Sequence, residues 1–133
     1  MTASYDAKNW GASAIGQYGS GTPYTPRRST DVTALLTNSQ DKPAFFNLDL
    51  RAFYQIPLDI LHIVIYSRVF NVLDIRNEVN VFDDTGRAGF TTDEAYALAR
   101  NPKQHVNSIK EFYRIPTNYS EPRRIEFGMN LEF

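Results

Sequence analysis

The sequence predicts an all-β chain, an antiparallel meander of about four long strands plus an N-terminal stub, with one short helix between strands. Three observations predict it. Residues 125–133 alternate strictly: Ile125, Phe127, Met129, Leu131 and Phe133 are apolar, with Glu126, Gly128, Asn130 and Glu132 between them. A period of two is a strand with one apolar and one wet face, whereas a helix spaces its apolar residues by three and four. Segments 10–18 and 45–56 repeat the alternation, and 60–74 is rich in β-branched residues. Finally, no run of eighteen apolar residues is present, so no membrane helix is predicted.

In chain order, residues 1–5 read as the tail of a strand, and Asp6, Lys8 and Asn9 belong to a turn. Residues 10–18 place Trp10, Ala12, Ala14, Gly16 and Tyr18 on one face, with an aromatic at each end. Residues 19–43 read as a long loop from their Gly, Pro and Ser content. Within it Arg27 and Arg28 are either a ligand contact or a solvated pair. The next strand sets Phe46, Leu48, Leu50, Ala52, Tyr54 and Ile56 against Asn47, Asp49, Arg51, Phe53 and Gln55. Asp49 and Arg51 lie two apart on that polar side, within reach of each other.

Pro57 and Asp59 mark a short turn, and a strand is expected over 60–74, with a bulge where the period blurs after Val69. The β-branched run through Val79 and Val81 extends it into a projecting hairpin arm. Asp83 to Gly86 signal a turn. Residues 91–100 carry the helical pattern, with Thr91 and Glu94 spaced as a capping box and Asn101-Pro102 as the stop. A second short helical turn fits 108–113, and prolines 116 and 122 lead into the final strand.

The chain has 133 residues, enough for one domain, and a formal net charge of -1, which gives no field favouring nucleic acid. It contains no cysteine, so disulfides and Cys-ligated zinc are excluded. His62 and His105 are its only histidines, and neither has metal-site spacing. No phosphate-binding glycine loop, nucleophile elbow or pocketed acid–base pair is legible, so no metal, cofactor or catalytic residue is expected.

Alternating strands suit two settings: a soluble sandwich with the polar side to water, or a membrane barrel wall with the apolar side to lipid. A tilted membrane strand needs about ten residues. Four such strands and a stub fall short of the eight that the smallest outer-membrane barrels have. An open sheet in lipid would leave backbone groups unpaired at both edges, at several kcal/mol each. The membrane setting therefore requires further chain or several copies. No leader pattern precedes Trp10, so an exported precursor would also be longer.

Four segments resemble TonB-dependent outer-membrane receptors, in that family's order. Gly19-Ser-Gly-Thr-Pro-Tyr-Thr-Pro26 follows a Trp-led strand; Val69-Phe-Asn-Val-Leu-Asp74 precedes Asn77; Asp84-Thr-Gly-Arg-Ala-Gly-Phe-Thr91 follows; Tyr119-Ser-Glu-Pro-Arg-Arg-Ile125 runs into the last strand. The resemblance implies that residues 1–133 are the C-terminal segment of a plugged transmembrane barrel in the bacterial outer membrane. On that resemblance the plug and most strands would be absent, and the short helix would lie in an extracellular loop. Short turns would then lie on the periplasmic side and long segments outside. The parent's function would be energy-coupled uptake. The implied partners are outer-membrane lipid, the remaining strands and plug, and the barrel-assembly machinery, reading a signal at Met129, Leu131 and Phe133. Phe46, Leu48, Leu50, Ile125 and Phe127 would face lipid. The alternatives are a small soluble or self-assembling β-sheet binding or structural protein and, with nothing positive behind it, a small enzyme.

Overall fold

The computed structural model describes residues 1–27, 37–101 and 108–132. Its largest element is a five-stranded sheet. The strands are β1 (Thr2–Asp6), β2 (Trp10–Gly19), β5 (Phe45–Pro57), β6 (His62–Phe70) and β7 (Arg124–Glu132), and they lie in the order β1-β2-β5-β6-β7. Each alternating segment has become a strand, and successive sheet strands lie side by side as a meander. Two two-residue strands, β3 (Pro23–Tyr24) and β4 (Gln40–Asp41), pair with each other within what reads as loop.

The β1–β2, β5–β6 and β6–β7 pairs are antiparallel. Between β2 and β5, the Gln55 amide donates to the Asn9 carbonyl at 2.6 Å, and the Phe45 ring lies against Gly19. The end of β5 thus meets the start of β2, and this pair is antiparallel as well. The β1–β2 turn closes through Ala7 N to Trp10 O at 2.8 Å, and the β5–β6 turn through Leu58 N to Leu61 O at 2.9 Å.

The chain divides into two compact units. The first contains the sheet with residues 71–75 and 121–123. The second gathers the two long connections, residues 19–45 and 76–120.

The expected hairpin arm does not form. β6 stops at Phe70 because Asn71 and Asp74 adopt left-handed backbone angles, φ 50° and 53°, and residues 71–74 turn. Asparagine and aspartate tolerate this conformation better than other non-glycine residues. Beyond the turn, the second unit holds its chain by separate contacts: an isolated bridge between Glu78 and Tyr119, and a donation from Ser120 N to Asn77 O at 2.8 Å.

The second unit carries α1 (Thr92–Arg100), α2 (Ile109–Tyr113) and a 3-10 turn over Pro116–Asn118. Thr91 caps α1, its hydroxyl accepting from Asp93 N at 3.2 Å. The expected partnership with Glu94 is replaced by Asp84, whose carboxylate takes the Thr91 hydroxyl at 2.9 Å. The reciprocal box forms at α2 instead, where Ser108 accepts from Glu111 N and the Glu111 carboxylate accepts from Ser108 N. Pro102 lies outside the described residues.

Candidate functional site

Register assigns the residues of β5, β6 and β7 to one of two faces, because directly opposed residues of an antiparallel pair point the same way. One face carries the rows Leu50–Val69–Ile125, Ala52–Ser67–Phe127, Tyr54–Ile65–Met129 and Ile56–Ile63–Leu131. The other carries Arg51–Arg68–Glu126, Phe53–Tyr66–Gly128, Gln55–Val64–Asn130 and Pro57–His62–Glu132. Alternation along β5 adds Phe46 and Leu48 to the first face, and Asn47 and Asp49 to the second. On β1 and β2, Tyr5 and Trp10 belong with the apolar rows, their ring centroids 5.2 Å apart.

The expected lipid-facing residues, Phe46, Leu48, Leu50, Ile125 and Phe127, therefore share one face, and Met129 and Leu131 join them. Phe133 lies outside the described residues. This face is uncovered: Phe127 is 78% exposed, and Ile125, Met129 and Leu131 are each more than half exposed. A sandwich would bury that face against a second sheet about 10 Å away. Among the described residues Ala88, in the second unit, is the one hydrophobic residue that is fully buried.

The polar face shelters its apolar side chains. Tyr66 lies over Gly128 and Phe53 over Gly11, each where a Cβ would collide with the ring. The rings cover strand backbone instead of projecting. The Arg124 guanidinium sits 4.6 Å from the Phe70 ring centroid and that of Arg68 5.1 Å from Tyr66, as cation–π pairs. Arg124 also pairs with Glu121 at 3.3 Å and Glu126 at 3.2 Å.

Asp49 does not pair with Arg51. Its Oδ1 accepts from Asn47 Nδ2 and from the Asn71 amide, both at 2.9 Å. Asn71 is buried and uses its whole side chain: Oδ1 accepts from Ile75 N at 3.1 Å, while Nδ2 donates to Ile75 O and Glu121 O, both at 3.0 Å. One residue thus joins the end of β6 to the approach to β7. Sequence reading missed it, since Asn71 stands in an apolar run that reads as strand. The one signal was an amide residue where the period blurs.

In the second unit Glu78 accepts from Arg87 Nη2 at 2.7 Å and from Ala88 N at 2.6 Å. Burial works against its charge, but the bonds from Arg87 and Ala88 outweigh it and hold the carboxyl below its ordinary range. Asp84 follows the same logic. Burial would raise it, but the Thr92 hydroxyl at 2.5 Å, Thr92 N at 2.6 Å and the Thr91 hydroxyl converge on Oδ2 and lower it.

Arg27, half of the expected solvated or ligand-binding pair, bonds Asp93 at 2.6 Å and approaches Asp83 at 3.6 Å. Its guanidinium is held above its usual range, first by the Asp93 hydrogen bond and then by the charge of Asp83. Arg28 and His105 lie outside the described residues. His62 is exposed at the start of β6, and no group of three or more metal-ligating side chains occurs among the described residues. Among these residues no helix is long and apolar enough to cross a membrane, which says nothing of a β-barrel. Comparison with protein-family models, curated proteins and solved structures found no match.

Proposed function

We propose that the chain is a section of the wall of an outer-membrane β-barrel of the TonB-dependent-receptor kind, serving energy-coupled ligand uptake by the parent barrel. The single observation behind this reading is the inversion of the sheet. Ile125, Phe127, Met129 and Leu131 on its apolar face are each more than half exposed, while Phe53, Val64 and Tyr66 on its charged face are half-buried. That arrangement costs free energy in water and suits a wall with hydrocarbon outside and a wet lumen inside. Short turns at one end of the sheet and long connections from the other add to it, because barrels of this kind have that asymmetry.

The chain's single tryptophan provides the test. Trp10 lies on the apolar face and is 45% exposed. In the chain reconstituted into phospholipid vesicles, lipids brominated on their acyl chains should quench Trp10 strongly, and a water-soluble quencher weakly. The reverse pattern, or a detergent-free monomer that melts cooperatively, would defeat the proposal.

A second reading, a self-assembling β-sheet protein, is favoured by one observation: β1 and β7 are the outer strands of an open sheet. Exposed edges and an apolar face can pair copies of the chain in water. Detergent-free oligomers in which Trp10 is shielded from both quenchers would select it.

A further inference from the structure

We propose that Arg51 and Arg68, opposed across β5 and β6 on the polar face, form a binding site for an oxyanion, a phosphate or carboxylate that presents two oxygens. The site belongs to the polar face and stands whichever medium the apolar face meets. Directly opposed residues have Cβ atoms about 4.5–5.5 Å apart, and like charges so placed destabilise a sheet. The Arg51–Arg68 pair is such a placement. No carboxylate lies within ion-pairing distance of either guanidinium among the described residues.

Of the neighbouring acids, Asp49 and Glu126 are engaged by other groups, and Asp6 lies farther along the polar face, on β1. Oδ1 of Asp49 holds Asn47 and the Asn71 amide, and Glu126, opposite Arg68, is taken by Arg124. Space is present as well. A hollow of about 380 Å³ is lined by Ser13, Asp49, Arg51 and Arg68 among others, and one of about 300 Å³ by Ser4, Asp6, Ser13 and Arg51 among others. Both meet at Arg51 and Ser13. Ser4 and Ser13 oppose each other on β1 and β2 and can add hydroxyl donors. Tyr66 holds the Arg68 guanidinium in place before any ligand arrives. Two planar forks with hydroxyls alongside match an oxyanion in shape and charge.

The test uses the full chain in detergent micelles, titrated calorimetrically with inorganic phosphate and, separately, with succinate. At least one anion should bind at a single site, and the preference identifies the source as phosphate or carboxylate. Arg51→Gln and Arg68→Gln should each weaken binding at least tenfold, and the double variant should abolish it. Arg51→Lys should also weaken it by losing the fork, while the exposed Arg76→Gln should leave it unchanged. In anion-free buffer Arg51→Gln should not lower the thermal midpoint, because it relieves the repulsion, and the midpoint should no longer rise with anion. Absence of binding by either anion, or equal binding by the double variant, would overturn the proposal.

Discussion

Replacing Asn71 by alanine isolates the junction that ends β6 and starts the approach to β7. The substitution removes three side-chain hydrogen bonds, those with Ile75 N, Ile75 O and Glu121 O. Each is worth about 0.5–1.5 kcal/mol net. It also places alanine at φ 50°, a region costing roughly 1–2 kcal/mol for residues without a short polar side chain. Water can reach some of the freed groups, so the expected loss is about 3 kcal/mol, near a hundredfold in the local opening equilibrium. Native-state amide exchange reads this directly. The amides of Ile75 and Arg123, the latter donating to Asp74 at 3.0 Å, should exchange about a hundredfold faster. Asn71→Gly should recover about 1 kcal/mol of the loss, since glycine is at ease in the left-handed region. Exchange in the alanine variant within threefold of the parent would refute the reasoning. So would a glycine variant no better than alanine.

Three further outcomes follow from the same geometry. Gly128→Ala should destabilise the β6–β7 pair by about 1–3 kcal/mol through collision with Tyr66, and Tyr66→Ala in the same chain should recover part of it, read as a double-mutant cycle in denaturant melts. In the vesicle-reconstituted chain, Leu48→Arg should cost about 2–4 kcal/mol if that face meets the bilayer near midplane while Asn47→Arg is tolerated, and equal tolerance would undo the assigned facing. Glu78 and Asp84 have lowered pKa values, so their stabilisation is complete above the ordinary carboxylate range and drains away as pH falls below about 4. Ala88 and Thr92 amides should lose exchange protection on acidification before the β6–β7 amides do, and Glu78→Gln should remove the Ala88 part of that response.

The strands were legible because alternation records a two-faced environment directly. Residues 125–132 show it in every pair and 46–51 likewise, and register follows once one face is apolar. The ends of elements were not legible, because they depend on partners distant in sequence. Thr91 looks ready for Glu94, yet Asp84 reaches it from the preceding turn. Asn71 looks like a polar interruption in a strand, yet its bonds run to Ile75 and Glu121. The site on the polar face shares this limit. Arg51 invites pairing with Asp49 two residues away. Only register reveals that it stands opposite Arg68 instead, seventeen positions on in the sequence. Phe53 and Tyr66, aromatic on a wet face, lie over Gly11 and Gly128, glycines distant from them in sequence.

On the proposed barrel wall the open face of this sheet meets hydrocarbon and the charged face meets water. The chain has no cysteine, so single cysteines introduced one at a time at positions 46–51 each carry a unique spin label. In the vesicle-reconstituted chain, power-saturation accessibility should alternate with a period of two. Labels at Phe46, Leu48 and Leu50 should favour oxygen, and those at Asn47, Asp49 and Arg51 a water-soluble nickel chelate. Uniform access to the chelate, or alternation in the opposite phase, would contradict the account.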